Sequence, residues 1–166
     1  MKTIVLFLLC TLPALAQDGF RTEKGKIVWE HTFTENVPNL ESLITAQEKM
    51  KLVSEEESLY TGKAEAIKST IDVNSVRLAS DANFDFTITK VAGGYKVRVT
   101  NYVFLEKYGP MQLRIIPNSL DKYYLEYGKI RNSDKTKTDL GYVDGYLTGL
   151  FLSQIVTAQG PALTAK

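Results

Sequence analysis

The sequence predicts a single α+β domain, with an antiparallel sheet of about four or five strands covered on one face by two helices. Two patterns and their order predict it. Apolar residues alternate with period two over Lys26–Phe33, Ser58–Ile67 and the paired stretches Phe84–Val91 and Tyr95–Leu105. They return at helical spacing around Leu40 and again from Asp139 to about Ala158. The elements run as strand, helix, strand and long hairpin, then a closing helix.

In Lys26–Phe33, Ile27, Trp29, His31 and Phe33 share one face, opposite Val28, Glu30 and Thr32. Asn39 then offers a cap for a helix, with Glu41 near its positive end. Leu40, Leu43, Ile44 and Gln47 continue that helix, and Met50 lies one turn further on, for about three turns in all. Glu55-Glu56-Glu57 reads as a solvated turn before the next strand. In Ser58–Ile67, Tyr60, Gly62, Ala64 and Ala66 form a face of small residues that suits close approach of a helix. Leu59, Thr61, Lys63, Glu65 and Ile67 form the other face. Residues 68–82 carry no clear pattern.

The hairpin is the clearest element. Phe84, Phe86 and Ile88 share a face of its first strand, and Tyr95, Val97 and Val99 share one of the second. Ala92-Gly93-Gly94 supplies the positive φ that a tight turn demands. Residues 106–139 contain turn signals at Gly109-Pro110, Pro117-Asn118 and Asn132-Ser133-Asp134, leaving room for a further strand or short helix. Gly160-Pro161 ends the last helix, and residues 159–166 form a flexible tail.

The N-terminus decides destination. Lys2, the apolar run Ile4–Leu15 and the small-x-small site ending at Ala16 are the three parts of a secretory signal peptide. The run is shorter than the roughly 20 residues a bilayer-spanning helix needs, so no transmembrane anchor is expected after processing. Leu9 stands where a lipoprotein site wants a small residue, so Cys10 belongs to the apolar run. Cleavage after Ala16 gives a chain for the periplasm or the medium, with residues 17–25 as a flexible leader and residues 26–158 as the domain.

The mature chain, of roughly 150 residues, is long enough for one genuine core. Cys10 leaves with the signal, which removes disulfides, thiol nucleophiles and thiolate metal sites. Lys2 leaves too, so 19 basic residues face 19 acidic ones. That balance argues against nucleic acid, which is gripped by clustered Lys and Arg, and against general attraction to anionic membranes.

Catalytic and cofactor signals are sparse. His31 is the lone histidine and lies on an apolar strand face, where packing is the commoner role. No nucleophile elbow, phosphate loop, dinucleotide fingerprint or calcium loop occurs, and no cofactor is implied. Paired carboxylates for glycoside hydrolysis are available in number but are not singled out by spacing.

The most specific feature is Gly141-x-x-x-Gly145-x-x-x-Gly149 in the last helix. These glycines form one stripe, with Val143, Leu147, Leu150 and Phe151 roughly opposite. Each costs about 0.8–1 kcal/mol against alanine in a helix interior. Two explanations compete: the stripe packs on this protein's own sheet or first helix, or it docks a second copy or another protein. Leu152 and Val156, apolar residues near the glycines, motivate the second.

Gly25-Lys26-Ile27-Val28-Trp29-Glu30, Leu40-x-x-Leu43-Ile44, Leu59-Tyr60-Thr61-Gly62-Lys63-Ala64 and Gly94-Tyr95-Lys96-Val97-Arg98-Val99-Thr100-Asn101 carry a resemblance. Across residues 25–105 the chain resembles a family of exported Bacteroidota proteins of unknown function with a TATA-binding-protein-like fold. The resemblance implies a curved antiparallel sheet in β-α-β-β-β-β-α order and brings no catalytic residues. The expectation is a non-catalytic envelope module that binds a protein or small ligand. The sheet's exposed face or the stretch Tyr123–Tyr127 is the surface to watch. The alternatives are a carboxylate-type hydrolase acting on an envelope glycan and a structural homo-oligomer.

Overall fold

The computed structural model describes residues 19–35, 37, 39–45 and 47–158. The predicted signal peptide ending at Ala16, and the predicted tail 159–166, lie outside the described residues. The elements are β1 (Gly19–Glu23), β2 (Lys26–Phe33), α1 (Leu40–Thr45), β3 (Met50–Glu56), β4 (Leu59–Ile67), β5 (Asp81–Val91), β6 (Gly94–Tyr108), β7 (Arg114–Ser119), α2 (Leu120–Tyr124), the small pair β8 (Leu125–Glu126) and β9 (Lys129–Ile130), and α3 (Asp134–Ala158).

The main sheet has seven strands in the order β1-β2-β6-β5-β4-β3, with β7 alongside the far part of β6. Every neighbouring pair is antiparallel. Four or five strands are predicted, and the additional ones are edge strands. β1 falls in the expected flexible leader, β3 ends in the acidic run expected as a turn, and β7 contains Pro117. Edge strands need no continuous apolar face and are kept polar or interrupted to discourage further pairing, so alternation does not announce them.

The sheet bends where two bulges flank β5. In β4 the register shifts between Ala64 and Ile67, with Ala66 at φ 51. In β6 the shift lies opposite Asn83 and Asp85, with Asn101 at φ 52. β5 secures both. Asn83 Oδ1 accepts from the Ala66 amide at 2.7 Å, and Asp85 Oδ2 accepts from Asn101 Nδ2 at 2.7 Å. An extra residue bends a strand and reverses the in–out parity of the residues beyond it. Ile67 therefore joins the buried face, contrary to simple alternation, while Tyr102, Phe104 and Glu106 continue the face begun by Tyr95, Val97 and Val99.

That face carries the core. β5 contributes Ala82, Phe84, Phe86 and Ile88, and β2 contributes Ile27, Trp29 and Phe33, all buried. Gly62 and Ala64 of β4 sit opposite Phe86 and Phe84. A Cβ on Gly62 would lie 2.2 Å from the Phe86 ring, so the neighbouring strand's aromatic, not a helix, fills the space expected for close helix approach.

The helices cover this face. Asn39 Oδ1 accepts from the Glu41 amide at 3.0 Å, the predicted cap, and Leu40 and Ile44 are buried. The helix is shorter than predicted: it ends at Thr45, and Met50, expected one turn further on, begins β3. The last helix starts at Asp134, before the predicted Asp139, and ends at Ala158 as predicted. Ser133 Oγ accepts from the Thr136 amide at 3.2 Å, capping the early start. Val143, Leu147 and Phe151 of α3 are buried, with Phe151 stacked on Trp29 at 6.2 Å and edge-on to Phe86 at 5.8 Å. Trp29 Nε1 donates to Asp144 Oδ1 at 2.6 Å, which fixes the helix on the sheet.

Candidate functional site: the glycine face of the last helix

Packing Val143, Leu147 and Phe151 onto the sheet turns the other side of α3 outward, and Gly141, Gly145 and Gly149 lie there. A Cβ built on any of the three meets no atom within 4 Å. The stripe therefore does not pack on this protein's sheet or first helix, the first of the two explanations. It lines open space.

That space is a groove of two adjoining hollows. The larger, of about 580 Å³, runs from Gly145 and Gly149 to the turn at Gln47–Lys49 and to Ile67 and Lys68. The smaller, of about 350 Å³, lies between Gly141, Gly145 and the segment from Thr70 to Val73. Tyr146 borders both, and its hydroxyl donates to the Lys68 carbonyl at 3.2 Å, tying the far wall to the helix. Ile67 and Leu150 supply apolar surface, while Glu48, Lys49, Lys68 and Asp72 place two charges of each sign around it. A bare helix backbone beside a charge-balanced groove admits an uncharged chain at close range.

His31 is half-buried, stacked on Trp29 at 5.8 Å and edge-on to Phe33 at 4.7 Å, the packing role that its strand face implies. The tyrosine stretch divides: Tyr123 and Tyr124 turn inward, and only Tyr127 is almost fully exposed.

Those inward tyrosines belong to a polar network that sequence reasoning missed. The buried Glu106 carboxylate accepts from the Tyr108 and Tyr123 hydroxyls and from Asn118 Nδ2, the last at 3.0 Å. Arg77 lies over the Tyr123 ring at 4.2 Å and donates to Asp139 Oδ2 at 3.0 Å, which also accepts from the Tyr124 hydroxyl at 3.2 Å. Burial raises the Glu106 pKa, but its three hydrogen bonds and the Arg77 charge outweigh burial and hold it below the usual glutamate range. Burial, then the bond to Glu106, pushes Tyr123 up to about 12. Glu106 continues the buried row Tyr102, Phe104, which was the only trace in sequence once the bulge at Asn101 is known. Its partners come from residues 77, 108, 118 and 123, too dispersed for a motif.

The order β2-α1-β3-β4-β5-β6-α3, on a bent antiparallel sheet with one covered face, defines a TATA-binding-protein-like fold. The chain is similar to the crystal structure of a TBP-like protein from Parabacteroides distasonis, with a TM-score of 0.53 and 14% identity over 83% of this chain and 96% of that one. A DUF4468 family protein from Bacteroides ovatus also matches, with a TM-score of 0.48 and 15% identity over 87% and 92% of the two chains. No protein-family model and no curated protein matches the chain. At such identities the likeness establishes the fold alone, and fold does not fix function.

Proposed function

We propose that the mature protein is a non-catalytic module of the bacterial envelope that binds a segment of another protein, or a small ligand, along the glycine face of α3. One observation carries this: three glycines in one helix, each unfavourable there, all face open groove rather than a packing partner. Natural sequences keep such locally unfavourable residues where function asks for them. The leader ending at Ala16 supports export, and among the described residues no helix is long and apolar enough to cross a membrane.

A hydrolase of carboxylate type is the competing reading. Glu106 and Asp139, two buried carboxylates, are engaged by Tyr, Asn and Arg partners and line neither hollow of the groove, and the two carboxylates that do line it, Glu48 and Asp72, belong to different hollows, which favours binding.

The test is a mild pull-down of tagged mature protein from the producing cell's envelope, with native mass taken on the same sample, beside Gly145→Leu. The wild type retains a reproducible partner or ligand, and the variant loses it with no loss of thermal stability. Equal capture and equal native mass for both proteins refute a role for the groove. A wild type that emerges empty and monomeric refutes the binding function and turns attention to glycan substrates.

A further inference from the structure

The β6–β7 hairpin presents a second surface, apart from the groove. The two strands pair out to Tyr108 and Arg114, and the connection closes through Gly109 and a short 3-10 turn at Pro110–Gln112. Its apolar side chains are turned to solvent on either side of the exposed Gln112: Met111 is 88% exposed, Leu113 80% and Ile115 55%. These are the first, second and fifth most exposed large apolar residues after Tyr127, and they fall within five consecutive positions. Single exposed apolar residues are ordinary, but a contiguous group at the tip of a projecting hairpin is not.

Charge identifies the occupant. From Lys107 to Leu120 the chain contains no acidic residue, although the mature protein as a whole is balanced. Arg114 is exposed between Leu113 and Ile115 and makes no ion pair among the described residues. Lys107, on the facing strand, is neutralised in part by Asp81 at 2.8 Å, which leaves Arg114 as the principal cation. Apolar side chains at a tip with a cation directly behind them match the boundary of an anionic bilayer, where acyl chains lie beneath phosphates.

We infer that this hairpin is a lipid-contacting tip. Met111, Leu113 and Ile115 enter the headgroup–acyl boundary of an anionic membrane, and Arg114 meets the phosphates. One short hairpin gives weak, reversible attachment, which suits a module that must find its partner at the envelope surface.

The experiment is co-sedimentation of the full mature protein with vesicles of phosphatidylethanolamine and phosphatidylglycerol, and with vesicles of phosphatidylcholine alone. The expected result is binding to the anionic vesicles that weakens with added salt and is much lower on phosphatidylcholine. Met111→Asp with Leu113→Asp reduces it about tenfold or more. Arg114→Glu reduces binding to the anionic vesicles and leaves phosphatidylcholine binding alone. Position 111 has φ 60, a conformation that aspartate tolerates better than methionine, so the double variant folds; an unchanged melting temperature checks this. Equal binding by wild type and the double variant overturns the inference, as does a wild type that binds neither vesicle at millimolar lipid. A wild-type dimer that the double variant dissociates, without lipid binding, also overturns it and assigns the tip to self-association. Gly145→Leu, which tests the groove, leaves vesicle binding intact.

Discussion

Replacing Gly141, Gly145 and Gly149 together by alanine should stabilise the protein, and that outcome tests the groove independently of any partner. Each glycine sits inside α3, so each change recovers about 0.8–1 kcal/mol of helix propensity. The gain is complete only if the new methyl finds room. Here a Cβ meets nothing within 4 Å at any of the three sites, so no clash subtracts from it. Summed over separate positions, the gain is about 2–3 kcal/mol, large beside a typical stability of about 5–15 kcal/mol. In a domain of this size it should raise the melting temperature by roughly 5–10 °C. Urea unfolding at constant m-value is the assay, because a shift of midpoint alone reports stability. A triple variant less stable than wild type would mean that the face is closed by packing, and the groove would have to be abandoned.

Gly62→Ala should behave in the opposite way, costing about 1–3 kcal/mol by the same assay, because its Cβ would strike the Phe86 ring at 2.2 Å and the Lys51 carbonyl at 2.7 Å. Glu106→Gln should lower stability by about 1.5–3 kcal/mol at pH 7. Because the folded-state pKa of Glu106 is depressed, its contribution is present above the unfolded glutamate value of about 4.3 and is lost as pH falls through the folded value. The gap between wild type and Glu106→Gln in urea midpoint should therefore narrow toward pH 3. At the alkaline end, burial holds Tyr95, Tyr102, Tyr124 and Tyr146 above the ordinary tyrosine range. A raised folded pKa contributes stability that is full below about 10 and lost as pH rises. Ultraviolet titration should show part of the tyrosinate absorbance arriving only with unfolding, and a smooth non-cooperative titration of all nine tyrosines would contradict the burial.

The parts of the fold legible in sequence were those with one wet and one dry side. The β5–β6 hairpin turned at Ala92-Gly93-Gly94, because the alternating burial of its strands writes itself into composition. β2 ran over the predicted residues although Ile27 to Glu30 are buried on both faces. Edge strands were illegible for the converse reason: β3 is mostly exposed, so nothing in Lys51–Glu56 had to be apolar. The bulges at Ala66 and Asn101 were hidden too, since their positive φ is carried by ordinary residues and secured from β5. The glycine stripe was visible as a pattern, but propensity cannot say whether the missing side chains leave room for a neighbour or for solvent. Only the placement of α3 answers that, and Asp144 is the residue that fixes it. In sequence it is a charge interrupting an apolar helix, and in the fold it is the acceptor for Trp29.

The two sides of α3 ought therefore to be separable by mutation. Leu147 is fully buried on the sheet side, and Gly145 lies two residues away on the groove side. Leu147→Ala removes buried methyl groups and leaves a cavity, at a cost of about 2–5 kcal/mol. It touches nothing in the groove, so partner capture measured well below the melting temperature should survive. Gly145→Leu adds an exposed side chain to a helix that tolerates it and fills the groove, so stability should survive and capture should not. Measuring both properties on both variants yields a crossed pattern if binding and folding use opposite faces. If Leu147→Ala abolishes capture while still folded, the partner reads the sheet-facing packing instead. The open face would then have to be explained by something other than binding.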